Sequence, residues 1–97
     1  MMTTGASVCR KVRVGSALGL HARPAAQIVH IAGKYDSELK LRRTDGKGSD
    51  ADCRSVLAML MLAASKDTEL ELRGCGIDAV EAVNSVAEYF ERNFDDK

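Results

Sequence analysis

Tryptophan is absent from this 97-residue chain, and two Tyr and two Phe are its only aromatics. That leaves too few rings for a platform on which bases of a single strand could stack. Net charge is also lacking: 14 basic residues balance 14 acidic ones. Duplex nucleic acid is bound mainly by neutralising its phosphates with Lys and Arg, so this balance argues against nucleic acid as a partner. The longest apolar run, over 56–64, falls far short of the roughly 20 residues a membrane span needs. The opening Met-Met-Thr-Thr-Gly-Ala-Ser has neither the basic head nor the apolar core of a signal peptide. Cysteines are few and odd in number: Cys9, Cys53 and Cys75, with no C-x-x-C. They read as reduced thiols of a cytoplasmic protein, not as a disulfide framework. No Cys pair or His cluster stands at ligand spacing, so neither a metal nor a cofactor is expected.

What is present is the periodicity of one small α+β domain. Residues 8–14 alternate as a strand, with Val8, Val12 and Val14 on one face and Lys11 and Arg13 on the other. A helix is expected over 22–32, with Gly33 as its stop and Ala25, Ile28, Val29 and Ala32 as its buried stripe. The single proline, Pro24, falls in its first turn, where a missing N–H costs no helical bond. Residues 37–42 alternate again, and Thr44-Asp45-Gly46-Lys47-Gly48-Ser49-Asp50 has the composition of a hairpin turn before a weak strand over 50–53. Ser55 is a favoured N-cap for the apolar run over 56–64, which is too apolar to have an ordinary solvent face. Residues 69–73 form a clean alternating strand, and Gly74-Cys75-Gly76 reads as a turn. Asp78 with Glu81 resembles a capping box for a last helix whose stripe is Ala79, Ala82, Val83, Val86 and Phe90. The order β-α-β-β-α-β-α predicts an open-faced two-layer β-sandwich, a four-stranded, mostly antiparallel sheet with three helices on one face. One domain spans 1–97, with its core over about 8–92 and flexible ends over 1–7 and 93–97.

The chemistry concentrates in Ala17-Leu18-Gly19-Leu20-His21-Ala22-Arg23-Pro24-Ala25-Ala26. A glycine-bearing turn delivers His21 to a helix start, exposed at its mouth, where backbone N–H groups lack helical partners and the macrodipole is positive. Anions bind readily at such a place. An imidazole and a guanidinium added there suit transient handling of a phosphoryl group. His30 lies nine residues further along the same helix, about 13 Å away and half a turn round, so the two histidines cannot share a metal.

Gly19-Leu20-His21-Ala22-Arg23-Pro24-Ala25 closely resembles the active-site signature of HPr, the histidine phosphocarrier of the bacterial phosphotransferase system. The resemblance runs from about Val12 to Phe90 and includes the element order. Within the family, Leu60-Met61-Leu62-Ala63 and Asn93-Phe94-Asp95-Asp96 look more like the nitrogen-related branch than the sugar branch. The resemblance implies that His21 takes phosphate on Nδ1 from enzyme I and passes it to an EIIA-type domain. In that role the protein is a stoichiometric carrier, not a stand-alone catalyst. Arg23 matches the arginine beside the phosphate, with Ala22 and Arg23 binding it and Pro24 shaping the helix start. Ser55 matches the position that an HPr kinase/phosphorylase modifies in some bacteria, although Ala58 stands where those proteins commonly have glycine. Leu20, Ala26, Leu57 and Leu60 are the expected partner-binding residues, and the expected state is a monomer. Two rivals are a regulatory protein of the same fold, acting through the phosphorylation state of Ser55 or His21, and a small ligand- or metal-carrying α+β domain.

Overall fold

The computed structural model describes residues 6–95. Its elements are β1 Ala6–Arg13, α1 Ala22–Ala32, β2 Glu38–Arg43, β3 Ala51–Asp52, α2 Val56–Leu60, β4 Glu69–Gly76 and α3 Ala79–Glu91, followed by a 3-10 turn, Asn93–Asp95. The sheet order is β1-β4-β2-β3 and every pairing is antiparallel. Helices cover one face, as the alternation of each strand requires. Val12, Val14, Leu39, Leu41, Leu70 and Leu72 are buried beneath them, while Lys11, Lys40 and Arg73 stand on the open face. Ala25, Ile28 and Ala32 of α1 and Ala82, Val83 and Val86 of α3 complete the core. Arg10 falls on the helix side of β1, and its guanidinium is satisfied there by Asn84 (2.8 Å) and Glu91 of α3.

Four expectations need correction. The first concerns Gly74-Cys75-Gly76, which continues β4 instead of turning. A Cβ on Gly74 would come 2.5 Å from Val83 Cγ2 and 3.0 Å from Leu39 Cδ2. The glycine therefore lets α3 approach the sheet, a packing use that leaves no period in the sequence.

The second is α2, which stops at Leu60 instead of running to Ala64. The chain then turns through Ala63, whose φ of 51° is left-handed. That turn buries both Leu62 and Ala64, which a straight helix would have placed on different faces.

The third is Asp78, which occupies the N-cap of α3 without capping it. Its carboxylate instead accepts from the backbone N–H groups of Asp36 and Ser37 and from the Ser37 hydroxyl. These bonds, the Ser37 hydroxyl foremost, hold the Asp78 carboxyl below its ordinary pKa. A depressed pKa contributes stability that is present above the unfolded carboxylate value near 4 and lost as pH falls through the folded value. Denaturant titrations between pH 7 and pH 2 should show wild-type stability dropping below about pH 4. The drop should be smaller in Asp78→Ala, and equal pH slopes in the two proteins would contradict the assignment.

The fourth correction is at the C-terminal end. Phe94 is buried, with its ring 5.0 Å from Phe90 and 5.2 Å from Tyr89. Apolar contact thus holds residues 93–95 against the core where fraying was expected. Residues 1–5 and 96–97 lie outside the described residues.

Candidate functional site

The loop after β1 is organised by its own backbone. Ser16 is buried, its carbonyl accepts from Gly19 N–H (2.9 Å), and its hydroxyl accepts from Leu18 N–H (3.3 Å). Gly19 adopts φ +72°, and a Cβ there would lie 2.6 Å from the Ala64 carbonyl oxygen. Only glycine fits both the conformation and the space. The next residue locks the contact, because Leu20 N–H donates to that same carbonyl at 2.9 Å. The end of the α2 segment therefore sets where α1 begins.

His21 is the N-cap of α1, with extended backbone, and its carbonyl accepts the first helical bond from Ala25 N–H at 3.0 Å. Its side chain makes no capping bond. Pro24 has no N–H, so the first turn offers the amides of Ala22 and Arg23, for which no acceptor is found among the described residues. That turn also carries no acidic residue. The imidazole is half-buried, where full exposure was expected. Its Nε2 is shielded from solvent without a partner, a condition Nδ1 does not share. Nδ1 is thus the ring nitrogen left accessible to solvent.

Arg23 is exposed beside it. The other seven of the eight arginines bond to a carboxylate or a backbone carbonyl. Arg23 has no such bond among the described residues, so its guanidinium is available to an incoming anion. An exposed histidine, His30, sits in the last turn of α1, where a cation is favoured by the dipole but no site forms.

Ser55 caps α2 as expected, its hydroxyl oxygen accepting from Ala58 N–H at 3.1 Å. Of the four residues expected to meet partners, Ala26 and Leu57 are exposed, Leu60 is half-buried, and Leu20 is only 5% exposed. Leu20 is a core residue: a leucine flanking His21 was read as surface, but the bond to Ala64 turns it inward. Leu18 and Met61, each 74% exposed, were passed over. Leu18 could have been noticed as a large apolar residue inside a loop. Met61, still in helical backbone conformation with its N–H on the Leu57 carbonyl (3.0 Å), shares the outward face of Leu57 four residues before it. The Cys53 thiol is buried, and that burial pushes its pKa up to about 12, which removes it as a nucleophile.

The family model described as "PTS HPr component phosphorylation site" matches residues 8–92. The chain is 36% identical over 90 residues to phosphocarrier protein NPr of Klebsiella oxytoca, covering 93% of this chain and 98% of that protein. It is 37% identical over 86 residues to phosphocarrier protein HPr of Pseudomonas aeruginosa, covering 89% and 93%. A crystal structure of phosphocarrier protein HPr from Bacillus anthracis superposes with a TM-score of 0.78 at 28% identity, covering 88% of this chain and 98% of that one.

Proposed function

This chain belongs to the HPr family of phosphocarrier proteins of the phosphotransferase system, and from that premise we propose that His21 Nδ1 accepts a phosphoryl group from phosphorylated enzyme I and passes it to an EIIA-type acceptor. The observation that carries this reading is the helix mouth itself, whose first residues bring a shielded Nε2, an accessible Nδ1, and amides and a guanidinium that find no partner among the described residues. Attack by Nδ1 requires the neutral imidazole with its proton on Nε2 and the lone pair on Nδ1. That lone pair attacks phosphorus in line, the N–P bond forms, and the donor's bond to phosphorus breaks. No proton need leave the ring. The amides of Ala22 and Arg23 and the Arg23 guanidinium would receive the phosphoryl oxygens, so the protein's part is positioning and electrostatics.

Incubation with enzyme I and phosphoenolpyruvate should give an acid-labile, alkali-stable adduct, discharged when an EIIA-type domain is added. An unlabelled wild-type protein would refute the proposal. A hydrogen bond to a charged group is worth about 1.5–3 kcal/mol. Arg23→Ala should therefore slow phosphoryl acceptance roughly 10- to 100-fold, measured by quenched-flow labelling, with unfolding unchanged.

Partners would approach over Leu18, Leu57 and Met61, the exposed apolar residues of the loop and of the α2 segment joined to it at Ala64. Leu57→Glu, or Ser55→Glu as a mimic of phosphorylation, sets negative charge on this surface. Each should raise the KM for the protein in enzyme I assays by at least about tenfold while leaving the thermal midpoint within a few degrees. An unchanged KM in both would place docking elsewhere. The Ser55 variant also tests the regulatory reading, since its side chain already points at the first turn of α2.

A further inference from the structure

Among the described residues β1 is an edge strand, paired with β4 alone. Val14 N–H donates to the Thr68 carbonyl, which continues the β1–β4 register and fixes which groups face inward. With the two-residue period, Val12, Arg10 and Val8 also direct their backbone groups to β4. Ser7, Cys9, Lys11 and Arg13 direct theirs outward, a ladder about 20 Å long with no backbone partner among the described residues.

Beside this edge runs a cleft of about 350 Å³ lined by Lys11, Arg13, Gly15, Phe90, Glu91 and Asn93. Two further features of the cleft bear on what could fill it. Asn93 Oδ1 is buried and finds no donor among the described residues. Lys11 makes no ion pair there either, because Glu71, directly across from it, is taken by Arg42 (2.9 Å) and Arg73 (3.3 Å).

We propose that this edge is a second interaction site, which adds an extended strand from another protein whose residues alternate acidic and apolar. Side chains of an added strand alternate between the two faces of the sheet. Acidic ones would lie beside Lys11 and Arg13 on the open face, and apolar ones would turn toward Phe90 on the helix side. A second copy of this chain is a poor occupant. β1 carries Arg10, Lys11 and Arg13 and no acid, so no self-pairing register gives these cations an acidic partner, and registers centred on Arg10 or Lys11 set cation against cation, the usual protection of an edge. The site is independent of the chemistry at His21 and stands or falls without it.

The test uses the full ¹⁵N-labelled chain and two capped seven-residue probes, one alternating valine with glutamate and one alternating valine with lysine. The glutamate probe should shift the amides of Ser7, Cys9, Lys11 and Arg13 saturably and slow their hydrogen exchange at least tenfold. The lysine probe should bind at least tenfold more weakly. The double variant Lys11→Glu, Arg13→Glu should reverse that preference, which a folding defect would not do. Lys11→Pro, which deletes one outward amide, should abolish both. Absence of shifts at millimolar probe, or equal binding of the two probes, would overturn the proposal. So would protection of the same amides on raising the protein concentration alone, since a second copy would then hold the edge.

Discussion

The His21→Ala variant should accept no detectable phosphoryl group from enzyme I, a loss of at least about 10³-fold, while remaining folded. Two features separate chemistry from structure at this residue. Its backbone carbonyl supplies the first helical bond to Ala25, and that bond survives the substitution. Its side chain caps nothing, and the shielded Nε2 has no partner to lose. Deleting an unpaired buried nitrogen leaves no new orphan behind, so stability should change by no more than about 1 kcal/mol. Equal labelling of wild type and variant in the enzyme I assay would move the acceptor to another residue. Cooperative unfolding at an unchanged midpoint would show that the loss is chemical.

Gly19→Val should have the largest effect on stability of any change near the site. The φ of +72° is costly for a β-branched residue, about 1–2 kcal/mol. The new Cβ would also meet backbone atoms, the Ala64 oxygen at 2.6 Å and Ser65 Cα at 3.1 Å, which cannot swing aside as a side chain would. Overpacking of that kind costs about 1–3 kcal/mol. The sum, about 2–5 kcal/mol, is a large part of what a small domain has. Gly46→Val is the internal control. It has φ +81° but nothing within 4 Å, so it should lose only the conformational part, about 1–2 kcal/mol. Denaturant midpoints of the two variants separate clash from strain. If Gly46→Val is as damaging as Gly19→Val, contact with Ala64 contributes nothing. Because Leu20 N–H bonds the same carbonyl, the folded fraction of Gly19→Val should also transfer phosphate poorly.

Strand alternation and helical spacing made most of the fold legible before any coordinates. The strands, α1 and α3 fall where their periods place them, to within a few residues. Three of the four failures share a cause: the deciding contact came from a residue distant in sequence. Gly74 reads as punctuation unless Val83 and Leu39 are known to press on it. Asp78 and Glu81 have capping spacing, yet Asp36 and Ser37 claim the Asp78 carboxylate from 42 and 41 residues away. The run over 56–64 is apolar throughout, so no periodicity could mark where α2 stops. Its end is set by burying Leu62 and Ala64 and by presenting the Ala64 carbonyl to Leu20.

For the site, the placement of the candidate cluster was readable because it is local, with His21, Arg23 and Pro24 on four consecutive residues of one helix start. The surrounding surface was not. Leu20 and Leu18 flank Gly19 and look alike in sequence, but one is in the core and the other is 74% exposed. Backbone geometry sorts them, and that geometry depends on Ala64.

The central claim is that a single nitrogen, His21 Nδ1, carries the phosphoryl group. It is tested most directly by labelling the histidines with ¹⁵N, phosphorylating the full chain with enzyme I and phosphoenolpyruvate, and reading the ¹⁵N–³¹P coupling. Coupling is expected at Nδ1 of His21, with His30 unchanged. Coupling at Nε2 of His21, at His30, or at neither histidine while phosphate is incorporated would contradict it.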